Sequence, residues 1–267
     1  MEDRPLLAFA PPVVVSRPSQ RRRDMPRLSK PGSVRQGARL APQFRELTAA
    51  FDAERVRLAE NTPDEVDPAL VVVFDLAGTV KDFQNAINKI DGFEFLSQLL
   101  GDRADPDDDF HMTERAAGRT EKPVQHSLYM VMSSSRAIDE LLRLFALWQA
   151  DPSAKFEHGL GKFKEAFHQL TSIRRWGPED RIRQTGLRER WQETLDMIGQ
   201  SVSTVKVEVE LWYRRDPSQR AAAESHVEQV IAAGGGRILD RSQIRDITYH
   251  ALLAELPIQQ VRAVLRD

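Results

Sequence analysis

Residue types that serve in catalysis are present in this sequence, but they do not fall at the spacings that known mechanisms use. The six histidines include no His-Glu-x-x-His pair or other metal-ligand spacing. No serine lies in a Gly-x-Ser-x-Gly elbow, and neither a Walker-type loop nor a Gly-x-Gly-x-x-Gly loop occurs. The absence of cysteine excludes thiolate nucleophiles, disulfides and Cys-ligated metals. We therefore predict that this chain is not an enzyme by itself, with no catalytic residue and no cofactor.

A cluster of aspartates between residues 102 and 109 raises the question of a calcium site. An EF-hand loop needs a glycine at its sixth position and a bidentate glutamate at its twelfth, and no choice of first aspartate supplies both. We therefore predict no metal site and interpret the segment as a solvated acidic loop between two strands. Its members are Asp102, Asp105, Asp107, Asp108 and Asp109.

Composition places the chain among ordinary globular proteins. It has 267 residues, of which 41% are hydrophobic, and 38 basic against 40 acidic side chains leave a formal net charge of -2. No apolar run approaches the roughly 20 residues of a membrane span, and the N-terminus lacks the pattern of a signal peptide. We predict a cytoplasmic protein without a membrane partner, and without a nucleic-acid partner unless a local basic segment binds one.

That basic segment lies at the N-terminus. Residues 1–37 are rich in proline, serine and arginine, and such a composition cannot bury enough apolar surface to offset its ordering entropy. We predict a disordered basic arm, which serves either as an electrostatic contact with nucleic acid or an acidic protein, or only as a solubilising tail. An amphipathic helix is predicted over residues 38–62, because apolar residues then recur at helical steps.

Residues 69–150 are predicted to form a first unit of order β-α-β-β-α. The valine-rich run from Leu70 to Leu76 is typical of a buried strand, and Thr79 with Asp82 suggests a capping box for the helix that follows. Apolar runs from Phe93 to Leu100 and at 127–133 predict two further strands, and Ser135 is the predicted N-cap of the helix that follows the second of them.

Residues 151–200 are predicted to be a helical insert with two helices. The first is marked by apolar residues from Leu160 to Ile173, and the second by those from Leu187 to Ile198. The sequence leaves open whether the first unit takes its closing strand from this insert or shares the strand that begins near Val205.

Residues 204–267 repeat the order β-α-β-β-α. Valines alternate with charged residues from Thr204 to Tyr213, which predicts a strand with one buried and one polar face. Asp216 is predicted to cap a helix that stops at Gly234, and strands are predicted from Ile238 to Ile247 and from Tyr249 to Leu256.

Three segments of the sequence resemble the region upstream of the protease in bacterial subtilisin-like (S8) serine peptidases that are paired with an AAA ATPase for defence against phage. The most specific likeness is to their propeptide-like (inhibitor I9-like) domain. The segments are LYMVMSSSRAIDELLRLFALWQAD, GLGKFKEAFHQLTSIRRWGPEDRIRQTG, and the C-terminal part with VKVEVELWYRRDPSQRAAAESHVEQVI, GGRILDRSQI and YHALLAELP.

The resemblance implies an α+β chain with two ferredoxin-like (β-α-β-β-α-β) units in tandem. The protease motifs with their Asp, His and Ser would lie beyond Asp267, so no catalytic residue is carried over, and we expect the last unit to lack its final strand. The implied function is that of a non-catalytic N-terminal region that assists folding, restraint or partner docking of an S8 endopeptidase domain in phage defence. A freestanding interaction module, for example an ATPase-binding adaptor, is the alternative.

The implied partners are the downstream catalytic domain and the AAA ATPase. On the polar face of the predicted strand, Glu208, Glu210 and Trp212 are the candidate docking residues. Both glutamates would cap helices of the protease domain, where carboxylates interact favourably with the helix dipole, and Trp212 would fill an apolar pocket. The alternative is a solvated strand face without a partner.

Overall fold

The computed structural model describes residues 26–61, 68–114, 118–177, 187–198 and 203–261. Within these residues the chain is α+β and contains three antiparallel sheets, as the sequence predicts for the fold class. In chain order the elements are β1 (Arg27–Ser29), α1 (Ser33–Asn61), β2 (Ala69–Ala77), α2 (Phe83–Ile87), β3 (Phe93–Ala104), β4 (His111–Glu114), β5 (Gly118–Thr120), β6 (Val124–Ser134), α3 (Ser135–Ala150), α4 (Lys162–Gln169), β7 (Leu170–Arg175), α5 (Leu187–Ile198), β8 (Thr204–Glu210), α6 (Pro217–Ala233), β9 (Arg237–Ile244) and β10 (Tyr249–Pro257).

The largest sheet has four strands in the order β3-β6-β2-β7, and every neighbouring pair is antiparallel. β2 lies in its middle, where Val72 packs into the main core on one face and Val73 into a smaller cluster on the other. A strand that is covered on both faces needs apolar residues at successive positions. The valine-rich run therefore forms the buried strand that its sequence predicts.

Helices α1 to α4 contribute to one hydrophobic core on one face of this sheet. The ring of Phe83 lies at its centre and contacts the rings of Phe74, Tyr129 and Phe163 at centroid distances of 5.9, 5.3 and 5.1 Å, all in edge-to-face geometry. This geometry is favourable because the positive edge of one ring meets the negative face of another. Trp148 is fully buried in the same core.

The predicted helical insert is corrected at its first helix, which ends at Gln169 and is followed by strand β7. β7 pairs with β2, so the region 151–200 supplies the closing strand of the four-stranded sheet. The register shifts between Asp75 and Leu76, which skips Thr171 and lets both Leu170 and Ile173 reach the core. This bulge gives a strand the three-residue apolar spacing of a helix, which explains why the sequence pattern is misleading here.

The predicted basic arm is also corrected. Residues 1–25 lie outside the described residues, but β1 pairs with β4, and α1 begins at Ser33 rather than at residue 38. Gln36 fixes the start of α1, since its buried side-chain amide donates to the carbonyl oxygens of Phe167 and Leu170 at 2.7 and 2.6 Å. Residues 27–37 therefore belong to the folded chain.

The predicted acidic loop lies between two strands, although β3 extends into it as far as Ala104, and two short strands follow it. β4 and β5 join β1 in a three-stranded antiparallel sheet of order β1-β4-β5. Phe110 and Val124 are buried there against Ala77 of β2, so the small sheet covers one end of the outer face of the large sheet. Leu28 and Met112 pack against the same cluster, so the small sheet has an apolar side although the segment is mostly polar.

Two predicted helix caps are wrong in detail. Ser134, not Ser135, is the N-cap of α3, since its hydroxyl accepts from the N–H of Ala137 at 3.2 Å. Thr79 does not take part in a capping box, because its hydroxyl lies 2.9 Å from that of Ser127 on β6. Asp82 precedes α2 with a φ of 60° and no side-chain cap bond.

The C-terminal sheet has three strands in the order β8-β10-β9. The predicted N-cap is confirmed, since the Asp216 carboxylate accepts from the N–H of Ser218 at 2.8 Å and α6 runs from there to Ala233. The first strand ends at Glu210 rather than at Tyr213, and β9 ends at Ile244. Residues 258–261 are helical, after which the structure describes nothing further.

Candidate protein-docking surface

The three-stranded C-terminal sheet has two unlike faces. Register places Glu208 opposite Leu253 and Glu210 opposite Ala251, so both glutamates lie on one face with these residues of β10. Both glutamates are exposed, as the alternation in the sequence predicts. Exposed residues of β9 continue the same face. We call this surface the open face; its members include Lys206, Glu208, Glu210, Asp240, Ser242, Ile244, Leu253 and Glu255.

Contacts within the sheet orient part of the open face. The hydroxyl of Tyr249 donates to the Glu208 carboxylate at 2.8 Å. This hydrogen bond raises the pKa of Tyr249. The negative charge of Glu210 raises it further. Glu255 forms an ion pair with Arg237 at 2.8 Å. The open face therefore presents ordered carboxylates rather than a random charged surface.

The opposite face packs on helix α6 through polar contacts. Glu224 of α6 lies 2.8 Å from Nε2 of the fully buried His250 and also accepts from the side-chain amide of Gln243. Burial acts to raise the pKa of Glu224, but these two bonds and the charge of Arg241 outweigh it, so the pKa lies below its ordinary value. Glu224 therefore stays charged and links α6 to both β9 and β10.

Trp212, the third candidate residue, lies beyond the end of β8 and not on the strand face. Its half-buried ring packs against Trp176, with the ring centroids 6.2 Å apart at 74°. Both rings lie against Val73 and Met130 on the outer face of the large sheet. Trp212 therefore does not share a strand face with Glu208, because β8 ends before it, but it lines one groove together with Glu210.

A groove of about 260 Å³ lies where the C-terminal sheet meets the large sheet. Trp176, Trp212 and Met130 line its apolar side, and Tyr213 and Tyr249 line another part of its wall. Beside it, Arg214 forms an ion pair with Glu94 of β3 at 2.7 Å, and the backbone N–H of Arg215 donates to the same carboxylate at 2.6 Å. The connection from β8 to α6 is thus the joint between the two sheets.

One pair of ionisable residues on the large sheet has no signal in the sequence. Nδ1 of His126 on β6 lies 2.8 Å from the carboxylate of Asp75 on β2. This hydrogen bond raises the pKa of His126; partial burial opposes the shift, and the charges of Asp75 and Asp107 add to it. The two residues are 51 positions apart, so only the register of the strands reveals the pair.

Three aspartates of the predicted acidic loop serve local structure. Asp107 accepts from the backbone N–H groups of Asp109 and Phe110, and Asp108 pairs with Arg119 at 3.0 Å. Asp109 contacts Arg35 and Arg39, which both lie near the start of α1. Across the part of the chain that the structure describes, no group of three His, Asp or Glu side chains converges as a metal site.

Comparison with known proteins returns no match among protein-family models, curated proteins or solved structures. The resemblance to S8 peptidases therefore remains a hypothesis. In the described ranges, no helix has both the length and the apolar character needed to cross a bilayer.

Proposed function

We propose that this chain is a non-catalytic docking region that assists the folding or restraint of an S8 serine endopeptidase domain, to which the open face binds. The observation that carries this proposal is the asymmetry of the C-terminal sheet. Its helix side is closed by α6 and the contacts of Glu224, whereas its other side presents Glu208 and Glu210 to solvent. A sheet with one face covered by its own helix and a polar, ordered opposite face suits a partner that supplies complementary charge.

The proposal includes a ferredoxin-like fold for both units. Number the strands of the large sheet one to four along the chain, as β2, β3, β6 and β7. Their order across the sheet is then 4-1-3-2. The C-terminal sheet has the corresponding order first, third, second. Both orders agree with the β-α-β-β-α-β pattern, with the last strand of the second unit not among the described residues.

The physical basis of docking is the helix dipole. A carboxylate at a helix N-terminus contributes about 0.3–1 kcal/mol, and two carboxylates on alternate positions of β8 can serve two neighbouring helices. Trp212 has a different role in this proposal from the one first predicted. Because its ring packs on Trp176, it holds the C-terminal sheet against the large sheet.

The test is binding in trans to a separately expressed S8 catalytic domain, chosen from the reading frame that contains or adjoins this sequence. The variant E208Q/E210Q should weaken binding by roughly 3-fold to 30-fold, which corresponds to the loss of two dipole interactions. The matched control is E228Q, since Glu228 lies on α6 and pairs with Arg241 on the other side of the sheet. Equal affinity of E208Q/E210Q and the unmodified chain would contradict the proposal.

The wider setting rests on the resemblance alone. We propose a cytoplasmic complex that acts in phage defence and includes an AAA ATPase. Co-purification of the chain with the peptidase but without the ATPase, under conditions in which the complex protects cells against phage, would remove the ATPase from the proposal. Binding of the ATPase without any peptidase would instead favour the adaptor alternative.

A further inference from the structure

The two edges of the C-terminal sheet differ in regularity. Within the described residues β8 pairs with β10 only, and its register is continuous from Thr204 to Glu210. At the other edge, β9 has a register irregularity opposite the step from Leu253 to Ala254. Bulges protect an edge against pairing with another chain, and β8 has none. β8 is therefore the edge that is suited to accept a further strand.

The backbone groups on the open side of β8 belong to its charged residues. The N–H of Leu211 donates to the carbonyl of His250, and the carbonyl of Ser203 accepts from the N–H of Ile258, so residues 203 and 211 face β10. Backbone direction alternates along a strand, which means that the odd-numbered residues between them also face β10. Lys206 and Glu208 consequently direct their N–H and C=O groups to the unoccupied side.

A second copy of β8 fits this edge in one antiparallel register. If Val207 lies opposite its own equivalent, Lys206 of each copy lies opposite Glu208 of the other. Moving the centre of symmetry to residue 206 places two Lys206 side chains opposite each other. Moving it to residue 208 pairs Lys206 with Glu210 but places two Glu208 side chains opposite each other, and a parallel in-register pairing aligns like charges throughout. The register centred on Val207 is the one that pairs opposite charges and no like charges. Opposite charges at directly facing positions stabilise a strand pair and like charges destabilise it.

The other face of the same register is also complementary. Val207 meets its equivalent and Val205 meets Val209, so the half-buried valines of the two copies extend one apolar surface. A shift by a single residue would place charged side chains against valines, because successive side chains point to opposite faces. Charge and apolar patterns thus select one register.

We propose that two copies of this chain associate through β8 into a two-fold symmetric dimer with one continuous sheet of order β9-β10-β8-β8-β10-β9. Each interface contains two Lys206–Glu208 pairs, as the symmetry of such a contact requires. The proposal goes beyond the docking function. It uses the edge of β8 at which the fourth strand of a ferredoxin-like unit would pair, as β7 pairs with β2, so this dimer and closure by a fourth strand exclude each other.

The first test is sedimentation velocity of the full chain from micromolar to millimolar concentration. We expect a monomer–dimer equilibrium, and K206E and E208K should each weaken dimerisation about tenfold or more because like charges then face each other. An equimolar mixture of K206E and E208K should dimerise again. The control D240K changes a charge at the β9 edge and should leave dimerisation unchanged.

The second test is the charge swap K206E/E208K, which keeps the composition of the strand. The swapped chain should dimerise with itself but not with the unmodified chain, as native mass spectrometry of a mixture of two differently tagged proteins can show. A wild-type chain that is monomeric at millimolar concentration, free mixing of the swapped and unmodified chains, or an effect of D240K equal to that of K206E would each overturn the proposal.

Discussion

The four-stranded sheet and the three-stranded C-terminal sheet differ in how far their units are buried. The large sheet is completed by β7 and carries a core that four helices share, with aromatic side chains in mutual contact. The C-terminal sheet has three described strands, and within α6 only Ile231 is buried. A fourth strand and several helices thus accompany the large core, whereas the C-terminal sheet combines a small apolar cluster around Leu195 of α5 with the polar contacts of α6.

The largest expected effect comes from deleting the central ring of the first core. F83A should lower the free energy of unfolding by about 3–5 kcal/mol, because it leaves a cavity among Phe74, Tyr129 and Phe163. The matched change in the C-terminal unit is I231A, for which we expect a loss of about 2 kcal/mol. Urea unfolding followed by circular dichroism measures both. Equal losses would show that the two units do not differ in packing.

The next effect concerns the joint between the units. R214A removes the ion pair with Glu94, in which both side chains are mostly buried, and should cost roughly 1.5–3 kcal/mol. The C-terminal sheet should then unfold before the large sheet, as two transitions in a thermal scan. R215A is the matched control, since only the backbone N–H of Arg215 contacts Glu94. A single unshifted transition for R214A would contradict this account of the joint.

The pair of His126 and Asp75 should make the first unit sensitive to pH. The pKa of His126 is raised in the folded chain, so the pair stabilises fully below the unfolded value of about 6.5. This contribution is lost as the pH rises through the raised folded value. D75N should remove the contribution of this pair to the pH dependence of the unfolding free energy between mildly acidic and mildly basic pH. The control D139N changes an exposed residue on α3 and should retain that contribution. An unchanged profile for D75N would exclude the pair as its source.

The smallest effect is expected at the helix caps. S134A should lower the free energy of unfolding by about 1 kcal/mol through loss of the bond to the N–H of Ala137.

D216A should increase hydrogen exchange at the start of α6 without affecting α3. Hydrogen bonds from Ser218 hold the pKa of Asp216 below its ordinary value, so this cap should persist into mildly acidic pH. If either variant, S134A or D216A, shows faster hydrogen exchange in both α3 and α6, the two units unfold together.

Sequence patterns are reliable where local periodicity and burial coincide. The strand at Leu70, the helix cap at Asp216 and the exposed glutamates of β8 follow from alternation and capping chemistry alone. The pattern is misleading at Leu170 and Ile173, because a bulge gives a strand a helical spacing. It is also insufficient at residues 27–37, where partners distant in sequence order a polar segment.

The amino-acid sequence by itself determined the α+β class and the alternation that exposes Glu208 and Glu210, since these depend on neighbours within one turn or one strand. Only the tertiary structure decided that β7 closes the large sheet, that Trp212 packs on Trp176, and that His126 meets Asp75. Each of these contacts joins residues that are remote in the chain. Strand register and packing fix them, and local periodicity carries no information about either.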